Sequence, residues 1–249
     1  MKAFGRLLAL ACVALLALQL YFAGRIALMR LVDPESTAFE RSELWQVARK
    51  TGSLKWRQQW VPYTQISSHL KRAVIASEDA GFILHEGIDM EALEKAWEKN
   101  TQAEERAAQS IGRLTESRSG LPPPKPPKIV GGSTITQQLA KNLFLSGERT
   151  LLRKGQELLL TLMLESLLSK QRILEIYLNH VEWGDGVFGA EAAAQHYYRK
   201  PVSRLSAVEA ARLAVMLPRP KYFETHLGSG YLAARARTIA ARMGGVDVP

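Results

Sequence analysis

An apolar run near the amino terminus constrains this chain more than any other feature of its sequence. Residues 7–24 are interrupted by a polar side chain only at Gln19, and Arg6 and Arg25 border the run. A helix of about 18 residues, at roughly 1.5 Å per residue, reaches about 27 Å and so spans the hydrocarbon core of a bilayer. The sequence therefore predicts a transmembrane helix at 7–24 behind a short cytoplasmic tail at 1–6.

A cleaved signal peptide is the alternative to a retained anchor. The run is long for the apolar part of a signal, and the residues at its end offer no clear small-x-small cleavage site. Basic groups before the run slightly outweigh Arg25 and Arg30 behind it, which favours an amino terminus in the cytoplasm. We expect a single-pass protein of the bacterial cytoplasmic (inner) membrane, with a membrane-proximal lead-in at 25–63 and the remaining chain on the extracytoplasmic side.

The charge balance indicates anionic partners. Lys and Arg total 33 against 24 Asp and Glu, which gives a net charge of +9. Such a balance suits nucleic acid, phospholipid headgroups or phosphorylated substrates. Nucleic acid is not expected, because the chain is anchored outside the cytoplasm and has no aromatic-basic motif of a nucleic-acid-binding module. The single cysteine, Cys12, lies in the apolar run, which excludes an intramolecular disulfide and a cysteine-based metal site.

Helical patterns dominate the rest of the chain and strand signals are sparse, so the fold class is predicted to be mainly α. Apolar residues recur at three- and four-residue spacing in 66–79 and 90–100, with Asp89 as the expected N-cap of the second helix. Residues 101–130 turn charged, Ser-rich and then Pro-rich, which predicts a loop because proline cannot continue a helix. Residues 158–168 are apolar almost all round and predict a buried central helix.

Two adjacent carboxylates, Glu78 and Asp79, end the first of these helices. A negative charge is unfavourable at the carboxyl end of a helix because the macrodipole is negative there. The pair fits a solvated helix end as well as it fits a general base whose pKa is raised by the dipole. The segment alone leaves both interpretations open.

The histidines form no pattern of metal ligands. The five histidines lie at positions 69, 85, 180, 196 and 226, and no two of them have the spacing of a helical metal motif. A metal site built from carboxylates alone stays open. No obligatory cofactor is expected.

A basic cluster surrounds the turn between two predicted helices. It contains Lys141, Arg149, Arg153 and Lys154, and Glu157 follows one turn later. Pairing of Glu157 with Arg153 and Lys154 would stabilise a helix only weakly. The same cations, with backbone amides near helix starts, also suit the binding of a diphosphate. The polar residues before the cluster suit sugars, and they are Ser133, Thr134, Gln137 and Gln138.

Five motifs in order resemble glycosyltransferase family 51, the biosynthetic peptidoglycan transglycosylases, in their monofunctional form. They are Ala76–Gly87 with its Glu78-Asp79 pair, Gly131–Ser146, Arg153–Glu157, Lys170–Asn179 and Gly189–Pro218. Each short motif is weak alone. The second motif is specific at its length, and five matches in sequence argue against coincidence.

The resemblance implies a lysozyme-like, two-lobed, mainly α glycosyltransferase domain, expected at 64–245, that acts on lipid II and a lipid-linked growing glycan strand. It implies that Glu78 deprotonates the acceptor 4-hydroxyl, which attacks the anomeric carbon with inversion to form a β-1,4 bond. Undecaprenyl diphosphate leaves, and the basic cluster would stabilise its charge. Glu157 is expected either to assist near the leaving group or to hold the cations in place. Asp79 is expected to contact substrate.

The resemblance leaves metal binding and partner proteins open. A divalent cation at the diphosphate stays compatible with the resemblance, as do other cell-wall synthesis or division proteins as partners. The 101–130 loop is longer and richer in proline than the family leads us to expect, so the local structure beside the cleft is expected to depart from that of the family.

Two other functions fit parts of the sequence. A lytic transglycosylase or muramidase shares the lysozyme-like fold and a catalytic Glu. It cleaves a neutral glycosidic bond, however, and has no need of a cluster that binds diphosphate. A non-catalytic, membrane-anchored scaffold for cell-wall synthesis would need neither Glu78 nor the cations.

Overall fold

The computed structural model describes residues 2–52, 54–117, 132–145 and 150–249, and in these ranges the protein is mainly α, as predicted. The helices are α1 (Lys2–Leu28), α2 (Ala38–Thr51), α3 (Ser68–Glu78), α4 (Met90–Ser117), α5 (Ile135–Phe144), α6 (Leu151–Leu167), α7 (Lys170–His180), α8 (Ala190–Tyr198), α9 (Ala207–Met216), α10 (Pro220–Glu224) and α11 (Gly230–Arg242). The short strands β1 (Glu182–Gly184) and β2 (Val187–Phe188) pair antiparallel between α7 and α8.

Contacts divide the chain into two compact units. The first comprises the residues up to Gly87 together with Ile135–Pro249, and the second comprises Ile88–Thr134. In the first unit, α3 packs against α9 and α11, while α5 packs against α6 and α7. The side chains between these helices are large and almost completely buried: Leu70, Leu139, Leu160, Ile173, Tyr177 and Trp183. This core holds the carboxyl end of α3 and both ends of α5 in place.

Helix starts follow local capping chemistry. Thr37 and Glu40 form a reciprocal capping box before α2, in which each side chain satisfies a backbone amide of the other. In the second unit, Asp89 Oδ1 accepts a hydrogen bond of 2.8 Å from the Ala92 amide, which confirms Asp89 as an N-cap of α4. Glu40 also contacts His180 at 2.8 Å, so the predicted lead-in is tied to the end of α7.

Helix α1 agrees with the predicted membrane anchor. It has a window of 18 residues with a mean hydropathy of 2.2, and by length and composition it suffices to cross a bilayer. Its amino-terminal part is exposed, while Ile26 and Met29 near its end are buried in the core of the first unit. The helix therefore continues from an apolar exposed segment directly into the folded domain.

The prediction that the second helix ends at Asn100 was wrong. Helix α4 continues to Ser117, well into the segment predicted as a loop. Residues 101–117 are rich in Ala, Glu, Gln and Arg and contain no proline, so their helix propensity outweighs the polar composition on which the loop prediction rested. The proline-rich residues at 121–127 lie outside the described ranges.

The prediction of a buried central helix at 158–168 was right about the helix and wrong about its burial on every side. In α6, Leu160 and Leu164 face the core, whereas Leu158, Leu159 and Leu162 are 39–47% exposed. These leucines stay exposed although α6 also lies against α1, the predicted membrane anchor. An apolar surface facing lipid looks in sequence like an apolar surface facing a core.

Candidate active site

Glu78 is the last residue of α3 and is half-buried. Its Oε2 accepts a hydrogen bond of 3.1 Å from Gln138 Nε2 on α5, and the hydroxyl of Ser77 lies 3.3 Å from Oε1. The hydroxyl of Tyr177 donates to Gln138 Oε1 at 2.9 Å. Because the amide oxygen of Gln138 is held by Tyr177, its NH₂ group must point toward Glu78.

The pKa of Glu78 is raised above its ordinary value, and burial is the largest cause. Hydrogen bonds from Gln138 and Ser77 and the charge of Arg235 lower it again, while Asp79 raises it. The direction of the shift is the one that a general base requires. The helix dipole was the expected cause of a raised pKa, whereas burial contributes most in the structure.

Asp79, for which substrate binding was predicted, is buried and bonded to groups of its own chain. Its side chain is 1% exposed, and Oδ1 lies 2.8 Å from His85 Nε2. Oδ2 accepts a hydrogen bond of 3.0 Å from the amide of Ile135, the first residue of α5. The Gly87 amide donates to His85 Nδ1, so the neutral ring carries its proton on Nε2 and donates it to Asp79. Asp79 thus joins the segment after Glu78 to the start of α5.

The loop that follows Asp79 is pinned against α6. Gly87 has a φ of +86°, and a Cβ added there would lie 2.6 Å from Thr161 Cγ2 and 2.9 Å from Glu165 Cγ. Lys170 Nζ bridges the loop and α6, with distances of 2.6 Å to the His85 carbonyl and 2.8 Å to Glu165. The glycine of the first motif therefore has a steric reason, since only glycine combines this φ with so close an approach.

Three cations of the basic cluster come together around a buried carboxylate. Arg153 donates to Glu157 Oε2 at 2.7 Å, and Lys154 bonds to Glu157 Oε1. Glu157 is 3% exposed, and both of its oxygens are occupied. The pKa of Lys141 is lowered, first by desolvation and also by the charges of Arg153 and Lys154, with Glu157 opposing them. These contacts favour Glu157 as the group that holds the cations, because its side chain is only 4% exposed and both of its oxygens are already paired.

The cluster has an excess of positive charge and an unused donor. Lys141, Arg153 and Lys154 face one carboxylate, Glu157, among the described residues of the cluster. Arg153 Nε is buried and has no hydrogen-bond partner in the described part of the chain. A buried donor without a partner is costly, so an incoming anionic oxygen would be favoured there.

Helix α5 connects Glu78 to the basic cluster. Gln138 binds Glu78. Lys141, one helical turn after Gln138, interacts with the charges of Arg153, Lys154 and Glu157. Residues at this spacing share a helix face and are separated by about 4.5 Å along the axis. Helix α5 therefore links the residue that binds Glu78 to a cation of the cluster.

The other residues predicted to bind substrate do not all lie in the same unit. Gln137 is half-buried on α5, whereas Ser133 and Thr134 belong to the second unit, where Ser133 is exposed and Thr134 is buried. Arg149 lies outside the described residues.

Sequence reasoning missed two residues that act on Glu78. Tyr177 is fully buried and orients Gln138, although its motif gave no sign of this role. Arg235 lies on α11, near enough for its charge to lower the pKa of Glu78. Nothing in the sequence near residue 235 signals this contact, because it depends on the packing of α11 against α3 and α9.

Comparison with known proteins completes these observations. The model of a family described as Transglycosylase matches residues 46–110 and 125–244, which together make up most of the chain. A biosynthetic peptidoglycan transglycosylase of Burkholderia thailandensis is 54% identical over 236 residues, covering 95% of this chain and 84% of that protein. Proteins of the same description from Burkholderia pseudomallei and Paraburkholderia phytofirmans are 54% and 50% identical and cover 95% and 97% of this chain.

Proposed function

From the premise that this chain belongs to the biosynthetic peptidoglycan transglycosylases and is a peptidoglycan glycosyltransferase, we propose that it polymerises lipid II into β-1,4-linked glycan strands. The observation that carries the proposal is that one helix, α5, carries both Gln138, which binds the half-buried carboxylate of Glu78, and Lys141 of the basic cluster one helical turn later. The carboxylate suits proton removal and the cluster suits a diphosphate leaving group.

The proposed reaction has one displacement step. Glu78 takes the proton from the acceptor 4-hydroxyl while that oxygen forms a bond to the anomeric carbon of the lipid-linked strand. The bond from this carbon to the diphosphate oxygen breaks, and its electron pair leaves with undecaprenyl diphosphate. Attack from the opposite face inverts the anomeric configuration. Negative charge then grows on the diphosphate, where Lys141, Arg153 and Lys154 stabilise it; the proposal also includes Arg149.

Polar residues complete the proposed site. We assign the sugars to Gln137, Gln138, Ser133 and Thr134. No obligatory cofactor is proposed, and a divalent cation at the diphosphate would act on the same developing charge. We also propose that α1 holds the enzyme in the cytoplasmic membrane with the catalytic domain outside, where other cell-wall synthesis or division proteins are its further partners.

The basic cluster favours synthesis over strand cleavage. A lytic enzyme or muramidase acts on a bond whose leaving group is a neutral sugar, so an excess of cations beside the base would not lower its barrier. In this chain the cations are held in place by a buried carboxylate, Glu157. Such an arrangement has a use when the leaving group carries negative charge.

The first prediction tests the base. Glu78→Gln in the full-length chain is expected to reduce polymerisation of labelled lipid II by roughly 10²- to 10⁴-fold, because the amide cannot accept the proton. Gel separation of the glycan products measures this, with Glu98→Gln, an exposed residue of α4, as the matched control.

Two results would contradict the proposal. Polymer of normal length from Glu78→Gln would remove Glu78 from its role as base. Cleavage of preformed strands by the wild type, without any polymerisation of lipid II, would instead favour a lytic enzyme. Thermal melting of both variants shows that a loss of activity is not a loss of fold.

A further inference from the structure

The part of α1 that contacts the folded domain begins at a glutamine inside the apolar run. The described residues before Gln19 are all exposed, whereas beyond it one side of the helix is covered. Most of the covered positions recur at helical spacing and share one face, with Arg25 and Ala27 at its two borders: Gln19, Phe22, Ala23, Ile26 and Met29. Only the second half of the anchor therefore lies against the domain.

Gln19 joins this face to α6 by a reciprocal pair of hydrogen bonds. Its Nε2 donates to Gln156 Oε1, and Gln156 Nε2 donates to Gln19 Oε1, both at 3.0 Å. A bilayer offers no water to satisfy an amide, so polar residues of a spanning helix face protein partners. Hydrogen bonds are directional, so this pair defines the rotation and height of α1 against α6 more narrowly than apolar contacts do.

The position of Gln19 sets the depth of the pair. Arg25 ends the apolar run less than two turns later, about 9 Å along the helix axis. If α1 spans a bilayer, Gln156 then lies about 9 Å inside that end of the apolar run, within its outer third. The large apolar side chains of α6 around it are exposed, as expected of a surface in contact with lipid. They are Leu151, Leu152, Leu158, Leu159 and Leu162.

The same contact reaches the basic cluster through α6. Gln156 directly precedes Glu157, the carboxylate that holds the cations, and follows Arg153 by one turn. A shift or rotation of α6 against the anchor would move both residues with it.

A second contact of the anchor reaches the cluster through α5. Phe22 packs edge-on against Phe144, with ring centroids 5.3 Å apart, and the Arg25 guanidinium lies 5.8 Å from the same ring. Phe144 follows Lys141 by one turn at the end of α5. Both helices that carry described cations of the cluster are thus fixed directly to α1.

We propose that Gln19 is a positioning residue whose amide pair with Gln156 holds the basic cluster at the depth where the diphosphate of a membrane-bound substrate lies. The inference rests on the proposed function, since a substrate free in solution would need no fixed depth. A diphosphate attached to a long apolar chain stays near the membrane surface. Cations held at the same depth are therefore already aligned with the diphosphate along the membrane normal. This alignment lowers the entropic cost of binding.

The test compares two substrates that differ in their lipid. Gln19→Leu, in full-length protein reconstituted into vesicles, is expected to raise the KM for undecaprenyl-linked lipid II roughly tenfold, the effect of one lost polar contact. Its kcat should change little. With a water-soluble lipid II analogue of short chain, the same variant should keep the wild-type KM. Loss of general structure would instead affect both substrates alike.

Two further variants make the test specific to the pair. Gln156→Leu and the double variant Gln19→Leu/Gln156→Leu should show the same KM as Gln19→Leu, because each removes the same interaction. Moving the amide by one turn, with Gln19→Leu/Leu16→Gln, keeps the composition of α1 and should not restore the KM. The matched control is Gln171→Leu, an exposed glutamine of α7. Additive effects, an equal change with both substrates or an unchanged KM would overturn the inference.

A measurement without substrate separates this inference from the proposed function. A nitroxide attached at Leu152→Cys, in a Cys12→Ala background, reports the depth of α6 in the vesicle. Gln19→Leu should change that depth, and an identical depth in both proteins would overturn the positioning role. Wild-type protein that places α6 at the expected depth but polymerises neither substrate would contradict only the proposed function.

Discussion

The carboxylate of Glu78 depends on side chains from several helices. Gln138 comes from α5, Tyr177 from α7 and Arg235 from α11, and each of them affects Glu78 directly or through a neighbour. Burial raises the pKa of Glu78, while the polar contacts limit the rise. A base needs this compromise, because it must be ionised before the reaction and must bind a proton during it.

A pH profile tests this balance at the residue scale. A carboxylate acts as a base only when ionised, so activity is lost as the pH falls through the raised pKa of Glu78. Gln138→Leu removes a hydrogen bond that lowers this pKa. The acid limb of the rate profile should therefore move to higher pH, whatever the change in maximal rate. Initial rates of lipid II polymerisation across the pH range give the pH at which activity is half lost on the acid side. The control Gln171→Leu should not change this pH.

At the scale of elements, α5 and α6 form the site together. The Asp79 carboxylate binds the first amide of α5, and the end of that helix carries Lys141 next to Phe144. The first turns of α6 carry Arg153 and Lys154, with Glu157 between them and the core. Charge pairing alone would make these residues an ordinary helical ion pair. The approach of Lys141 from α5 turns the pair into a surface with an excess of positive charge.

Arg153→Ala tests the cluster at this scale. We expect weaker lipid II binding, by roughly ten- to a hundredfold, because a charge-assisted hydrogen bond to the diphosphate is lost. Titration of lipid II with the Glu78→Gln background, which binds without turnover, measures the affinity. Arg237→Ala, an exposed residue of α11, is the matched control. Arg235 is unsuitable as a control because its charge acts on Glu78. An unchanged affinity of Arg153→Ala for lipid II would contradict the proposal that the basic cluster binds the diphosphate.

At the scale of the molecule, contacts join the helices of the first unit from α1 to α11. Arg172 on α7 binds the backbone oxygen of Met29 at 2.8 Å and Asp33 at 2.7 Å, so the chain leaving α1 is fixed to the core. At the other side of the site, Gly87 lets the loop after Glu78 approach α6. These contacts give the site a defined place relative to the membrane anchor.

Gly87→Ala tests the packing of that loop. The positive φ alone should cost about 1–3 kcal/mol of stability, and the close contact with Thr161 adds to it. Thermal melting in detergent measures the change. Gly155→Ala is the matched control, since an added Cβ there meets nothing within 4 Å among the described residues, and alanine favours a helix. Equal melting temperatures for the two variants would show that the loop is free to move.

The sequence alone determined what local chemistry controls. It identified the apolar anchor, the mainly α class, the N-cap at Asp89 and the family, because periodicity, capping and motif order are readable along the chain. Two predictions were wrong because one composition fits two structures. They concern the end of α4, which continues as a helix where a loop was predicted, and the outer face of α6, which is exposed where burial was predicted. An exposed apolar face and a buried one have the same pattern in sequence.

Only the tertiary structure decided which groups act together. The contacts of Gln138 with Tyr177, of Asp79 with Ile135 and of Gln19 with Gln156 join residues that are far apart in sequence. No local propensity encodes such contacts, because they arise from the packing of whole helices. Glu78 is thus a candidate base by its motif, but its raised pKa and its cationic neighbours follow from burial and from helices that meet only in the folded chain.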